Sequence, residues 1–289
     1  MTTQDVSRAS SAIRTGSVAL LGIPLDENSS YLRGCALGPA RVREIIASGS
    51  SNLCAEDGTD VGSDPRFVDV GDVELASGAA SIAAIETATD ALLAQGARVL
   101  SVGGDHSVTY PIVRAHAPRH PGLSLLHFDA HPDLYDDFQG NRYSHASPFA
   151  RIMEERLAVR LVQVGIRTLN PHQRDQARRF GVEMIQMKDW RPDIAFSFDG
   201  PVYVTFDLDA LDPAFAPGVS HHEPGGLSVR DVLGALSRSP DLRVVGPTWS
   251  SSTRRAIRWG RQPRSRSSSS RSSRRGCCGS RRRTVHSRS

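Results

Sequence analysis

Carboxylate and imidazole side chains alternate at the end of an apolar segment near the middle of the chain. Asp129, His131 and Asp133 follow Phe128 at positions i, i+2 and i+4 of one another. Alternate side chains of extended backbone point to the same side, so Asp129 and His131 can face one point. Pro132 ends regular ladder pairing and leaves Asp133 on the following loop. Oxygen and nitrogen ligands without thiolate suit hard or borderline divalent ions, and the spacing therefore predicts a metal site.

Two further fragments offer ligands of the same kind. One histidine follows a Gly-Gly turn in which backbone can approach closely, and two aspartates lie on one face at the end of a strand-like run. With the first fragment, the candidate ligands are His106, Asp129, His131, Asp133, Asp207 and Asp209. Four carboxylates packed together repel one another unless cations offset their charge. An Asp-x-Asp pair alone is more often turn chemistry, but the combination predicts two divalent ions that lower the pKa of bound water.

The elements that must position these residues are short apolar runs separated by helical stretches. The runs are mostly apolar on both faces, as expected for a parallel sheet covered by helices. They span residues 17–23, 66–70, 98–102, 123–128, 160–166, 182–186, 202–206 and 242–246. Helices are predicted over 38–48, 77–95 and 228–238, with Ser77 as an N-cap and Gly96 just beyond the second helix. The alternation predicts a three-layer α/β/α domain with a mostly parallel sheet of about eight strands, whose ligands sit at the carboxyl ends.

The composition divides the chain into an acidic part and a basic tail. The 289 residues carry a net charge of +4, but residues 247–289 hold 13 Arg, 13 Ser and no acidic residue. Residues 1–246 keep 22 basic against 31 acidic residues. We expect a flexible N-terminus over 1–16, one domain over 17–246 and a disordered tail over 247–289.

The apolar runs, the N-terminus and the cysteines indicate in which cellular compartment the protein is expected. No apolar run is long enough to span a membrane, and residues 1–17 lack the apolar region of a secretory signal. The four cysteines form neither a disulfide framework nor a zinc pattern. These features predict a cytoplasmic protein with no membrane partner.

The motifs resemble those of the ureohydrolase family, which includes arginases and agmatinases. The matching motifs are GGDHS, FDAHPD and DLDALDP. The segments RYSHASPFARIME and DPAFAPGVSHHEPGGLS resemble in particular the sequences of the bacterial and plant arginase/agmatinase-like branch. The resemblance implies two Mn²⁺ ions, with Ni²⁺ in some relatives, at the six candidate ligands. It also implies release of urea from a small guanidino substrate and a homo-oligomer, either a trimer or a hexamer.

Residue roles follow from the same resemblance. His145 matches the family's proton-shuttle histidine, and an imidazole that titrates near neutrality suits protonation of a leaving amine. Without the family match, an exposed loop histidine would be the more common interpretation. Asp133 would both ligate metal and accept a hydrogen bond from the nucleophile. Substrate contacts are expected at Asn141, His145 and Glu223.

Three other histidines are interpreted with less help from the resemblance. His127 is predicted to be a core histidine that faces away from Asp129. His221 and His222 resemble part of a family active-site loop, but turn structure alone also explains the Pro-Gly-Gly that follows them.

The substrate is predicted from one loop. Asp136 and Asp137 would suit the cationic tail of agmatine, whereas Arg142 could pair with the α-carboxylate of arginine. Agmatine, cleaved to putrescine and urea, is the first choice, and arginine or guanidinobutyrate are the alternatives.

The chain departs from the family after Gly246. A back-translation of residues 246–258, grouped one base out of phase, gives Ala-Asp-Val-Val-Glu-Leu-Asn-Pro, which resembles the segment that family members have there. We therefore hypothesise that the Arg/Ser-rich tail is out-of-frame translation that removes half of the last strand and the closing helix. This polypeptide is then expected to fold poorly and to have little activity.

Two rival functions use other features. The Arg/Ser tail could bind nucleic acid through phosphates, but it begins abruptly inside an apolar strand with no linker, so no specific nucleic-acid partner is predicted. A metal-binding relative without activity is the other rival, and the intact His145 argues against it.

Overall fold

One parallel sheet of eight strands forms the centre of the computed structural model, which describes residues 12–250. The strand order is β2-β1-β3-β8-β7-β4-β5-β6, and neighbouring strands are parallel throughout. The strands are β1 (Val18–Gly22), β2 (Phe67–Asp72), β3 (Arg98–Val102), β4 (Ser124–Phe128), β5 (Arg160–Ile166), β6 (Glu183–Gln186), β7 (Pro201–Asp207) and β8 (Arg243–Ser250). The α-helices of the described residues are α1 (Gly38–Ser48), α2 (Ala79–Ala94), α3 (Thr109–His116), α4 (Pro148–Glu154), α5 (Pro171–Phe180) and α6 (Val229–Ser237).

Two hydrophobic cores lie on the two faces of the sheet. Leu125 of β4 packs in the core that includes Ile85 of α2. The next residue, Leu126, packs in the other core with Val232 of α6. Because successive side chains of a strand point to opposite faces, the sheet is covered by helices on both sides. The predicted three-layer α/β/α architecture is confirmed.

The helix boundaries agree with the prediction in part. The first helix spans residues 38–48 as expected, and Gly96 follows the second helix with a φ of +79°. The prediction of Ser77 as an N-cap is wrong, because the N-cap is Gly78, whose φ of +61° suits a residue without a Cβ. Helices α3, α4 and α5 were not predicted, although Pro at the first helical positions is a known start signal for two of them.

The last strand is longer than predicted. The change of composition predicts that it ends at Gly246, whereas β8 runs to Ser250 and pairs with β7 as far as Asp207↔Ser250. The prediction that half of this strand is lost is therefore wrong, because ladder hydrogen bonds are made by the backbone whatever side chains follow. Residues 1–11 and 251–289 lie outside the described part of the chain, and so do most of the predicted flexible N-terminus and nearly all of the predicted tail.

Candidate metal centre

Loops at the carboxyl ends of three strands bring the six candidate ligands together. One ligand starts the 3₁₀ turn after β3, three follow β4, and two lie at the end of β7. Strand β8 lies between β3 and β7, and β4 is the next strand beyond β7. The loops that follow β3, β7 and β4 therefore meet at the carboxyl-terminal edge, near the centre of the sheet. One cleft of about 230 Å³ is lined by all six: His106, Asp129, His131, Asp133, Asp207 and Asp209.

Unusual backbone conformations hold two of these loops in place. A Cβ on Gly104 would lie 1.7 Å from the carbonyl oxygen of Leu25, so only glycine allows this close approach. Asp105 then caps the turn, because its side chain accepts a hydrogen bond from the backbone N–H of Ser107 at 3.0 Å. Asp133 has a φ of +50°, which is strained for a residue with a side chain and is typical of functional sites.

His106 is at the centre of the first group of ligands. Its Nδ1 lies 2.9 Å from Oδ2 of Asp129 and 3.0 Å from Oδ2 of Asp133. The same nitrogen is 3.5 Å from Oδ2 of Asp207. All four side chains are buried. These atoms are therefore close enough to share one cation.

His131 and Asp209 form a second group with the other oxygen of Asp129. Nδ1 of His131 lies 3.2 Å from Oδ2 of Asp209 and 3.3 Å from Oδ1 of Asp129. The ligand atoms of these three residues all lie within 4.8 Å of one another. Asp129 thus faces both groups, and it would be within reach of a cation held by either one.

His127 does not face away from Asp129, and that prediction is wrong. The two residues are two positions apart, so an extended strand places them on the same side. Nε2 of His127 lies 2.9 Å from Oδ2 of Asp129, and the ring is fully buried. Gln163 of β5 contacts the other ring nitrogen at 3.0 Å. His127 is thus a buried histidine that supports a candidate ligand.

The charges of the cluster fit divalent cations. Burial, followed by the charge of Asp129, raises the pKa of Asp133 to about 7. Burial and the charges of Asp207 and Asp129 raise the pKa of Asp209 well above its ordinary value. Burial would lower the pKa of His131, but Asp209 and Asp129 outweigh it and raise the value to about 12. These directions reflect carboxylates that lie close together in a buried site, and divalent cations would supply the positive charge that balances them.

His145 lies at the wall of the same cleft. Its Nδ1 donates to the backbone carbonyl of Asn28 at 2.7 Å, and its Nε2 is 3.3 Å from Oγ of Ser30. Burial lowers the pKa of this imidazole to about 4, below the near-neutral value expected from the sequence. The ring stacks on His221, with centroids 5.6 Å apart and planes 16° apart. His221 also lines the cleft, which favours the active-site interpretation left open for it over turn structure alone.

Of the other two predicted substrate contacts, one lines the cleft and one does not. Glu223 lines the cleft, with Oε1 3.8 Å from Nε2 of His131. Asn141 does not line the cleft, and its amide donates to Oδ1 of Asn28 at 3.0 Å.

The charged residues of the loop that suggested a substrate also lie elsewhere. Asp136 pairs with His172 at 3.0 Å, and Asp137 accepts from the N–H of Gly140 at 2.7 Å. Arg142 pairs with Glu154 at 3.0 Å. None of the three loop residues lines the cleft.

Sequence reasoning missed several residues that hold the site. Oγ1 of Thr205 lies 3.0 Å from Nε2 of His106, and the period-two rule applied back from Asp207 could have found it. Arg167 donates to the carbonyls of Asp209 at 2.6 Å and Glu223 at 2.7 Å. No sequence signal marks this arginine, because its partners come from a different loop.

The fold and the acidic cluster define a class of protein, the metal-dependent hydrolases with a parallel α/β sheet. The family follows from comparison with known proteins: residues 16–247 match the model described as Arginase family, and the chain belongs to that family. It is thus a metal-dependent ureohydrolase, as the motifs predicted.

Plant arginases are similar to the chain in both sequence and structure. Arginase 1, mitochondrial, of Arabidopsis thaliana is 47% identical over 243 residues, which is 76% of this chain and 69% of that protein. Arginase 2, chloroplastic/mitochondrial, of the same plant is 47% identical over 236 residues, which is 75% of this chain and 68% of that protein. The structure of arginase from Medicago truncatula superposes with a TM-score of 0.77 at 37% identity, covering 88% of this chain and 89% of that one.

These relatives correct the expected compartment. The cytoplasmic location predicted from the cysteines and the N-terminus is wrong by this comparison, because the Arabidopsis proteins are named mitochondrial and chloroplastic/mitochondrial. Cysteine content does not separate the cytoplasm from the interior of an organelle. Within residues 12–250, no helix has the length and apolar character needed to cross a membrane.

Proposed function

We propose that this chain hydrolyses the guanidino group of L-arginine, releasing urea and ornithine. The observation that carries the proposal is the convergence of four buried carboxylates, two imidazoles and His145 on one cleft. The choice of arginine is supported by the arginase names of relatives that are 47% identical. The proposal replaces agmatine as first choice, because Asp136 and Asp137, which suggested it, do not line the cleft.

The six carboxylate and imidazole residues would hold two divalent cations, Mn²⁺ in the first instance and Ni²⁺ as the alternative. Hard oxygen donors with imidazole and without thiolate suit these ions. When bound, the pair of cations lowers the pKa of water, so that a nucleophile is available at neutral pH. No thiol of residues 12–250 lines the cleft, which leaves softer metals without their preferred ligand there.

The residues of the chain supply binding and proton transfer. Asp133 would accept a hydrogen bond from the attacking water, and the carboxylates that line the cleft would face the planar guanidinium group. Nε2 of His145 would accept the proton that the attacking water loses and pass it to the leaving amine. Glu223, at the wall of the cleft, offers a carboxylate to the α-ammonium group of the substrate. Like other members of the family, the protein is proposed to act as a homo-oligomer, either a trimer or a hexamer.

Agmatine is the second candidate, and one observation favours it. No Lys or Arg of residues 12–250 lines the cleft, so the α-carboxylate of arginine would meet no cationic side chain there. Agmatine has the same ammonium tail without that carboxylate. Neutral donors would have to bind the carboxylate of arginine instead.

Urea release from L-arginine, agmatine and 4-guanidinobutyrate by the Mn²⁺-loaded chain tests the proposal. We expect the highest kcat/KM for arginine. In Glu223→Gln, kcat/KM should fall by about tenfold for arginine and agmatine, which have an ammonium group, and stay unchanged for 4-guanidinobutyrate, which has none. Glu44→Gln, at an exposed glutamate of α1, is the matched control.

The outcomes separate the candidates. A higher kcat/KM for agmatine than for arginine would make agmatine the substrate. Release of urea from none of the three compounds would overturn the proposed activity.

A further inference from the structure

Asn28, in the loop between β1 and α1, makes four hydrogen bonds to the turn after β3 and the loop after β4, one of them to His145, which lines the cleft. Its backbone N–H donates to Oδ2 of Asp105 at 3.1 Å, and its carbonyl accepts from Nδ1 of His145 at 2.7 Å. Its side-chain Nδ2 donates to Oγ of Ser107 at 3.0 Å, and its Oδ1 accepts from the amide of Asn141 at 3.0 Å. One residue therefore joins the loop after β1, the turn after β3 and the loop after β4.

The orientation of the Asn28 amide follows from its partners. The single hydroxyl hydrogen of Ser107 is donated to Oδ1 of Asp105, so towards Asn28 this hydroxyl can only accept. Nδ2 of Asn28 must therefore face Ser107, which leaves Oδ1 to accept from Asn141. Asparagine suits this position because one side chain here must be a donor and an acceptor at once.

The carbonyl of Asn28 also determines which nitrogen of His145 carries the hydrogen. A carbonyl oxygen can only accept, so the hydrogen of the neutral imidazole is on Nδ1. Nε2 then presents its lone pair near Ser30, at the wall of the cleft. Because burial lowers the pKa of His145 to about 4, the ring is neutral at pH 7 and its tautomer matters.

We propose that Asn28 is a positioning residue that keeps His145 in the Nδ1–H tautomer with Nε2 directed into the cleft. The proposal rests on the proton-transfer role of His145 in the proposed function. The side chain of Asn28 fixes the carbonyl in place by its bonds to Ser107 and Asn141. Loss of these two bonds lets the carbonyl move, and the imidazole then samples the other tautomer and other orientations.

Kinetics of two variants and one control test the effect on turnover. In Asn28→Ala, which loses both side-chain bonds, kcat for urea release should fall by about 10- to 100-fold with KM within about twofold of wild type. Asn28→Gln keeps an amide that can both donate to Ser107 and accept from Asn141, on a side chain one methylene longer, so a smaller loss is expected. Asn52→Ala, at an exposed loop asparagine that accepts from the N–H of Cys54, should match wild type.

A spectroscopic measurement tests the tautomer directly. The full-length chain without metal is labelled with ¹⁵N-histidine, and the signals of His145 are identified by their loss in His145→Gln. Wild type should show the Nδ1–H tautomer, and Asn28→Ala should show a mixture of both tautomers. If Asn28→Ala does not fold, the same comparison is made with Asn28→Gln, for which a smaller admixture is expected.

Three results would overturn the proposal. One is an unchanged kcat in Asn28→Ala, and a second is a rise in KM alone, which would assign the residue to substrate binding. The third is a His145 tautomer that is the same in wild type and variant. If wild type itself releases no urea, the proposed function fails, while the tautomer measurement still decides the role of Asn28.

Discussion

Burial is the property that makes the six candidate ligands unusual as residues. Four aspartates that are each less than a tenth exposed are costly in any protein that gives them no positive partner. Here the imidazoles of His106 and His131 lie among the carboxylates, and the pKa of both is raised by that contact. The cluster is thus built to hold positive charge, whether from protons or from metal ions.

The hydroxyl of Thr205 leads to a prediction about metal affinity. It lies 3.0 Å from Nε2 of His106, so it holds the ring with Nδ1 towards the carboxylates. Removing such an outer contact typically weakens metal binding by about 10- to 100-fold. We expect Thr205→Val to raise the dissociation constant of Mn²⁺ by this factor, measured by calorimetric titration of the protein stripped of metal.

Thr248→Val is the matched control for that experiment. Thr248 is fully buried on the neighbouring strand β8, and its hydroxyl bonds with Tyr203 and contacts none of the candidate ligands. Its replacement can lower stability but should leave Mn²⁺ affinity unchanged. Equal affinity in Thr205→Val and wild type would contradict the assigned role of Thr205.

At the scale of elements, loops rather than strands or helices carry most of the residues of the candidate site. The strands bring the loops to one edge, and a few polar side chains then join loops that are far apart in sequence. Arg167, after β5, donates to the carbonyls of both Asp209 and Glu223 and so connects a candidate ligand to a candidate substrate contact. Burial lowers the pKa of this arginine, which shows that its charge is partly withdrawn from water.

Replacement of Arg167 should loosen both loops. Arg167→Met leaves several carbonyl oxygens without their donor, at a cost of about 1–3 kcal/mol in the free energy of unfolding. We also expect KM for arginine to rise, because Glu223 loses its support. Denaturant unfolding and urea-release kinetics measure the two effects.

Arg178→Met provides the comparison for Arg167. Arg178 lies on the exposed side of α5, where it pairs with Asp175 in the described part of the chain, so its loss should change stability by less than about 0.5 kcal/mol. Equal free energies of unfolding and equal KM values in the two variants would show that the hydrogen bonds of Arg167 contribute neither to stability nor to substrate binding.

Strand β8 shows what composition can and cannot predict about an element. The change to an Arg- and Ser-rich sequence after Gly246 suggested that the strand ends there, yet β8 continues to Ser250 between β3 and β7. The side chains of the extra residues are not all buried in the sheet, since Trp249 is about half exposed. The out-of-frame origin of the following tail, and the poor folding expected from it, concern residues outside the described part and stay predictions.

At the scale of the whole molecule, one buried histidine should make stability depend on pH. His116 is fully buried under the sheet, and burial lowers its pKa to about 4 against an ordinary value of 6.5. The unfolded chain therefore binds more protons than the folded chain between these two pH values. The contribution of the neutral ring is complete above pH 6.5 and is lost as the pH falls towards 4.

Unfolding of the metal-free protein at pH 7 and pH 5 measures this effect. Wild type should lose roughly 2 kcal/mol more over that interval than His116→Met, which has no group to titrate there. His222→Met, at an exposed histidine, should keep the wild-type dependence. A steeper loss of stability in His116→Met than in wild type would refute the prediction.

The sequence by itself determined the fold class, the strand positions and the six candidate ligands. Each depends on local features: apolar runs of strand length, an Asp-x-His-x-Asp spacing, and the rule that parallel strands place their following residues at one edge. Errors arose where one local feature was given too much weight, as with the N-cap at Ser77 and the end of β8.

Only the tertiary structure decided how the loops are joined and which side chains face the cleft. Asn28 and Arg167 act through partners that are far away in the sequence, so no local pattern reveals them. The cationic and acidic residues of the loop after β4 were assigned to the substrate by their charge, but they pair with neighbours outside the cleft. The physical reason is that periodicity determines the side of an element, whereas a hydrogen bond requires two atoms within about 3 Å, which depends on how the whole chain packs.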